Sequence, residues 1–123
     1  IEEEIDVSLN ALLQKFIQKE TKPKKLKVEV VAGTEIVSGQ PAVLRVYTKD
    51  AITSQPLPDS KVIIKVIGMT FRPAVYTGRT DKNGVYTLNI IIPEFSVGQA
   101  AILVQASSEF GMDELKLKIS RRM

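Results

Sequence analysis

From Leu26 to Ile119 the apolar residues recur at every second position, whereas in residues 4–20 they recur at every third or fourth. Period two belongs to a strand buried on one face and wet on the other. "LKVEVVA" sets Leu26, Val28 and Val30 against Lys27 and Glu29, and "AVLRVYTK" sets Leu44, Val46 and Thr48 against Arg45 and Lys49. "KVIIKVI" sets Val62, Ile64 and Val66 against Lys61 and Lys65. The alternation continues through Tyr86, Leu88, Ile90 and Ile92, then Ile102 and Val104, then Leu115, Leu117 and Ile119. A weaker segment over 74–80 brings the total to about seven short strands, and Pro73 at its start predicts an edge position because proline cannot donate to a ladder. Between the runs lie "GTEIVSGQP", "DAITSQPLPDS", "TDKNG", "PEFSVGQ" and "EFGMD", all rich in turn formers. No helical period separates one run from the next, which predicts an all-β antiparallel sandwich over residues 26–123.

Residues 1–25 form a second unit, an amphipathic helix and a basic linker. Ile5, Leu9, Leu12, Leu13, Phe16 and Ile17 share one helical face. Glu2, Glu3, Glu4 and Asp6 crowd its start and Lys15 and Lys19 its end, both favourable to the helix dipole. "TKPKK" stops it at Pro23. A helix of this length is marginal alone in water, so its apolar face needs a cover. The sandwich of the same chain, a preceding domain, or a second copy in a helix-mediated homodimer would each supply one.

The 123 residues, 44% hydrophobic and 25% charged, match one globular domain, and the absence of cysteine means that a core must hold it without disulfides. No apolar run approaches the roughly 20 residues of a membrane span. The chain opens on Ile1, which predicts a piece of a longer protein. The net charge of +3 resides wholly beyond residue 25. There Lys61, Lys65, Arg72, Arg79, Lys116 and Lys118 are scattered among strands and turns, and aromatics are few, which argues against nucleic acid as a partner.

"SGQPAVLRVYTKD", "QPLPDSKVIIKVIG", "TGRTDKNGVYTLNIIIP" and "SVGQAAILVQAS" together resemble the immunoglobulin-like domains of bacterial surface proteins and the related macroglobulin-type domains. The likeness spans roughly residues 26–120 and consists of turn and core positions. It implies an immunoglobulin-like sandwich and a non-catalytic structural or protein-interaction module of a larger bacterial protein. It also implies an extracellular or cell-envelope setting, with partners among neighbouring domains or other proteins. The alternative is a module binding calcium or carbohydrate at the loop pole.

The residues themselves predict no enzyme and no cofactor. With no histidine and no cysteine, the usual general base, thiolate and zinc ligands are missing, and no S-x-x-K, P-loop or G-x-G-x-x-G is present. "DKNG" is a fragment of a calcium loop, so Asp50, Asp59, Asp81 and Asn83 are the metal candidates, against a plain reading of Asp81 to Gly84 as a hairpin turn. Phe71, Arg72, Tyr76 and Arg79 near the edge segment are of the types that anchor interfaces, or else the aromatics cover the end of the core.

Overall fold

The computed structural model describes residues 24–33 and 35–121, and the helix expected over residues 4–20 lies outside them. Seven strands run in the order β1 (Leu26–Ala32), β2 (Pro41–Asp50), β3 (Lys61–Gly68), β4 (Ala74–Arg79), β5 (Val85–Ile91), β6 (Ala100–Ser108) and β7 (Gly111–Ile119). They form two antiparallel sheets, β1-β2-β5 and β4-β3-β6-β7. β4 pairs only with β3, which places it at the edge as Pro73 predicted.

The period-two residues meet between the sheets. Leu44 and Val46 from one sheet and Val62, Ile64, Ile102 and Val104 from the other are fully buried and belong to a single apolar cluster. Ala100 and Ala106 of β6 are buried in the same cluster. Packing of this kind supplies the main driving force of the fold, through apolar area withdrawn from water.

The turn at 81–84 connects differently from the hairpin read in the sequence. Its flanking strands β4 and β5 belong to different sheets, so the chain arches across the core there. The local chemistry is that of a tight turn all the same. Gly84 N–H donates to the Asp81 carbonyl at 2.9 Å, and the Asp81 carboxylate accepts from the amides of Asn83 and Val85. A four-residue turn signal specifies reversal of the chain but not the sheet in which the next strand pairs, which is set by the apolar pattern further along.

Loops at both poles are held by buried hydroxyls. At one pole the Leu57 carbonyl lies 2.8 Å from Thr48 Oγ1, 3.0 Å from Ser60 Oγ and 3.3 Å from Thr80 Oγ1, and Thr80 Oγ1 also accepts from the Ser60 amide. At the other, Ser38 Oγ donates to the Phe95 carbonyl and accepts from the Phe95 amide. One seam between the sheets is laced as well. The Val28 amide donates to Asp113 Oδ2 and the Leu26 amide to the Phe110 carbonyl, which joins β1 to the β7 side.

Candidate functional site

Alternation sends every second residue of β4, β3, β6 and β7 to the outer face of the four-stranded sheet, and the register sets them in rows. Arg79 lies beside Lys61, which lies beside Ser107. Two rungs on, Val75, Lys65, Leu103 and Lys116 form a row, and Lys118 follows opposite Ala101. Five cations, Lys61, Lys65, Arg79, Lys116 and Lys118, thus share one face with a single strand carboxylate, Glu114, which accepts from Gln105 Nε2 at 3.1 Å. Ile63 and Leu103, half-buried, occupy the middle of the face. No aromatic side chain belongs to these outward rows.

At the end of this face a shallow hollow of about 530 Å³ opens among Asp59, Lys61, Arg79, Ser107, Glu109 and Phe110. Arg79 Nη1 lies 3.6 Å from Asp59 Oδ1 and donates to the Asp59 carbonyl at 3.2 Å. The Lys24 ammonium stands 5.2 Å above the Phe110 ring. Basic groups therefore extend over the rim, partly offset by Asp59 and Glu109.

The residues singled out from sequence are dispersed by the fold. Asp50 is buried and accepts from the amides of Ile52 and Lys25 and from the Thr53 hydroxyl. Asp81 caps its own turn, and Asp59 pairs with Arg79. Among the described residues no three carboxylates gather as a metal would require. Phe71 stacks obliquely on Phe95 at 5.8 Å, and both it and Tyr76 pack against the core, while Arg72 and Arg79 point to solvent. The four therefore do not make one patch. The basic rows escaped sequence reading because their members are far apart along the chain and only strand register unites them.

Asp50 gives a stability test. The Ile52 amide, with the Lys25 amide and the Thr53 hydroxyl, holds the carboxyl below its ordinary value despite some desolvation. A depressed carboxylate stabilises the fold above its unfolded pKa, and that contribution is lost as pH falls through the lower folded value. The unfolding midpoint of the protein should therefore drop below about pH 4. Asp50→Asn should lower the midpoint at neutral pH and show a shallower acid limb, which thermal melts across the pH range would check.

Comparison with solved structures places the chain among immunoglobulin-like sandwiches. It is similar to superoxide reductase (neelaredoxin) from Ignicoccus hospitalis at a TM-score of 0.57 and 12% identity, covering 83% of this chain and 85% of that one. A variant of that enzyme matches at the same TM-score and 15% identity, with the same coverage. The CARDB domain of a Pyrococcus furiosus protein, solved with di-metal ions, matches at a TM-score of 0.46 and 13% identity over 82% of this chain and 97% of that one. No protein-family model matches the chain, and no curated protein matches it in sequence. The macroglobulin-type refinement of the resemblance therefore has no support from sequence comparison.

These neighbours correct the functional expectation. A non-catalytic structural or interaction module, with calcium or carbohydrate binding as its alternative, was inferred from fold likeness, yet the same sandwich is the scaffold of an enzyme. The fold consequently carries no presumption of a passive role. Nor does it transfer the enzyme's chemistry. Reducing superoxide needs an electron-donating centre, and proteins hold redox iron chiefly through imidazole and thiolate. With neither histidine nor cysteine in the chain, the residues present do not fit such a centre.

Proposed function

We propose that the protein adsorbs to an anionic lipid surface through the outer face of the four-stranded sheet. The observation that carries this reading is the collection of Lys61, Lys65, Arg79, Lys116 and Lys118 on one broad sheet face, opposed there only by Glu114 among the strand residues. A sheet face presents its charges side by side to an extended plane. Duplex grooves call for an inserted helix or ribbon, and single strands for aromatic stacking platforms, neither of which this face offers. Lysine supports the same reading, because its flexible stem lets the ammonium reach headgroups while Ile63 and Leu103 lie beneath.

The strength follows from charge count. Each Lys or Arg near an anionic surface contributes about 1 kcal/mol, so the five cations with Lys24 at the rim, offset by Glu114, Asp59 and Glu109, give about 3 kcal/mol. That corresponds to dissociation constants of the order of 10 mM. Binding of this strength is reversible and screened by salt, since the Debye length is about 8 Å at physiological ionic strength.

Vesicles of phosphatidylserine and phosphatidylcholine provide the test. The protein should co-sediment with them at low salt, be released at high salt, and ignore vesicles of pure phosphatidylcholine. Lys65→Glu/Lys116→Glu/Lys118→Glu should abolish sedimentation, whereas Lys27→Glu/Lys49→Glu on the opposite sheet should leave most of it. Equal loss in both variants, equal binding to neutral vesicles, or preferential retention of an oligonucleotide would each overturn the reading.

A further inference from the structure

Two loops at the pole beyond Gly68 present apolar side chains to water. Met69, just past the end of β3, is 77% exposed, and Val97, in the loop between β5 and β6, is 64% exposed. The fold clips the two loops together. The Met69 amide donates to the Gln99 carbonyl at 3.2 Å, and the Gln99 amide approaches Met69 Sδ at 3.5 Å. Gly98 leaves room for this contact, since a Cβ there would stand 3.2 Å from Met69 Cβ and 3.3 Å from its sulfur. Met69 and Val97 thus belong to one tip, although they are far apart in the sequence.

The tip continues the outer face of the four-stranded sheet. Behind Met69 on β3 come Ile67 and Lys65, with Ala101 and Leu103 beside them on β6. Val75, 57% exposed, flanks Lys65 on β4, and Lys118 and Lys116 flank Ala101 and Leu103 on β7. Arg72, exposed, lies in the same loop as Met69. At this end of the face cations border apolar surface, whereas the far end mixes Lys61 and Arg79 with Asp59 and Glu109. The acids of the near pole lie toward the β1–β2 loop, where Glu94 packs at Gly39 and Glu35 accepts from the Ser120 hydroxyl.

We infer that Met69 and Val97 enter the hydrocarbon of an anionic bilayer, with the sheet tilted onto this pole and Lys65, Lys116 and Lys118 at headgroup level. This orientation rests on the lipid reading above and sharpens it. Exposed apolar patches rimmed by polar groups mark contact surfaces. The bordering cations select anionic lipid over a second copy of the chain, because two such poles brought together would set like charges face to face. Lysine stems can also lie along the apolar surface while their ammonium groups stay among headgroups. Interfacial binding grows with the apolar area buried as well as with charge, so the tip strengthens an attraction that charge alone leaves weak.

Met112 separates a tilted sheet from a flat one. It is 69% exposed and lies opposite Ser107 in the row of Lys61, about 26 Å from Met69 along the strands. A face lying flat would bring both ends equally close to lipid. A tilted one keeps Met112 in water, because interfacial burial reaches only about 5–10 Å.

Because the chain has no cysteine, Met69→Cys, Val97→Cys and Met112→Cys each accept a single environment-sensitive NBD label. All three positions are exposed, and a β-type circular dichroism spectrum verifies folding of each variant. With vesicles of phosphatidylserine and phosphatidylcholine at low salt, emission from positions 69 and 97 should rise severalfold and shift to the blue, while that from position 112 changes little. Met69→Ser/Val97→Ser should weaken co-sedimentation about tenfold. If the unaltered protein fails to co-sediment, the lipid reading falls and this orientation with it. Co-sedimentation with the labels at 69 and 97 still wet, or with the label at 112 responding as strongly as they do, would overturn the orientation alone. A blue shift at 69 that grows with protein concentration in the absence of vesicles would assign the pole to a second copy and likewise overturn it.

Discussion

Replacing Ile64 by alanine should lower the unfolding free energy by about 2–5 kcal/mol, the range for large-to-small changes in close-packed cores. Ile64 is fully buried on β3, with Tyr76 of β4 and Val104 of β6 as its lateral partners. β3 is an interior strand flanked on both sides, so the surrounding layers have little freedom to collapse into the space left behind. At roughly 4–8 °C per kcal/mol for a domain of this size, the melting midpoint should fall by ~10 °C or more. The adjacent Ile63 supplies the control, because it faces outward and is only half-buried. Ile63→Ala should cost about 1 kcal/mol or less, since it removes little from the interior. Equal losses at the two positions would contradict the assignment of inward and outward faces, and urea unfolding of the pair measures the difference directly.

Gly84→Ala should be the second severe change. Gly84 has φ +73°, and a Cβ there would stand 2.6 Å from the backbone oxygen of Thr48 and 3.2 Å from Pro56 Cβ. That same oxygen accepts the Leu57 amide, and the Gly84 carbonyl accepts the Thr48 amide. Relief of the collision must therefore move the loop that brings the Leu57 carbonyl to the three buried hydroxyls. Left-handed backbone alone costs an L-residue about 1–2 kcal/mol, and weakening one buried hydrogen bond adds about 1–3 kcal/mol. A loss of about 2–5 kcal/mol is expected on those two terms. Gly39 separates them, having the same φ of +73° with only the Glu94 side chain nearby, at 3.7 Å. Gly39→Ala should show the dihedral penalty without the collision. If the two variants unfold at the same denaturant concentration, the steric account of Gly84 fails.

The layers of the sandwich were readable because each strand repeats its message several times. Leu44, Val46 and Thr48 all fall inward, as do Val62, Ile64 and Val66, and a one-residue error in any of them would have exposed the whole set. The turn at 81–84 carried no such redundancy, and its residues look alike whether the following strand pairs with its predecessor or crosses to the other sheet. Asp50 illustrates a different limit. An acid at the end of a strand reads as an exposed loop ligand, but two amides and a hydroxyl within three residues of it or at Lys25 retain it inside. The basic face was invisible for a third reason, because Lys65 and Lys116 become near neighbours only through β6, which lies between their strands. Function was misjudged from fold likeness, since sandwich positions that match are chosen by packing and turns and leave the surface chemistry free.

The lacing of β1 to the β7 side by Asp113 and Phe110 bears on how copies of this molecule can meet. A stack of sheets grows without limit only when both of its sides accept a newcomer. Among the described residues the start of β1 is tied across that seam by two hydrogen bonds, so strand-to-strand recruitment falls first to the edges of β4 and β5. Two molecules that pair those edges with each other cover both open sides at once, which favours a pair over a fibre.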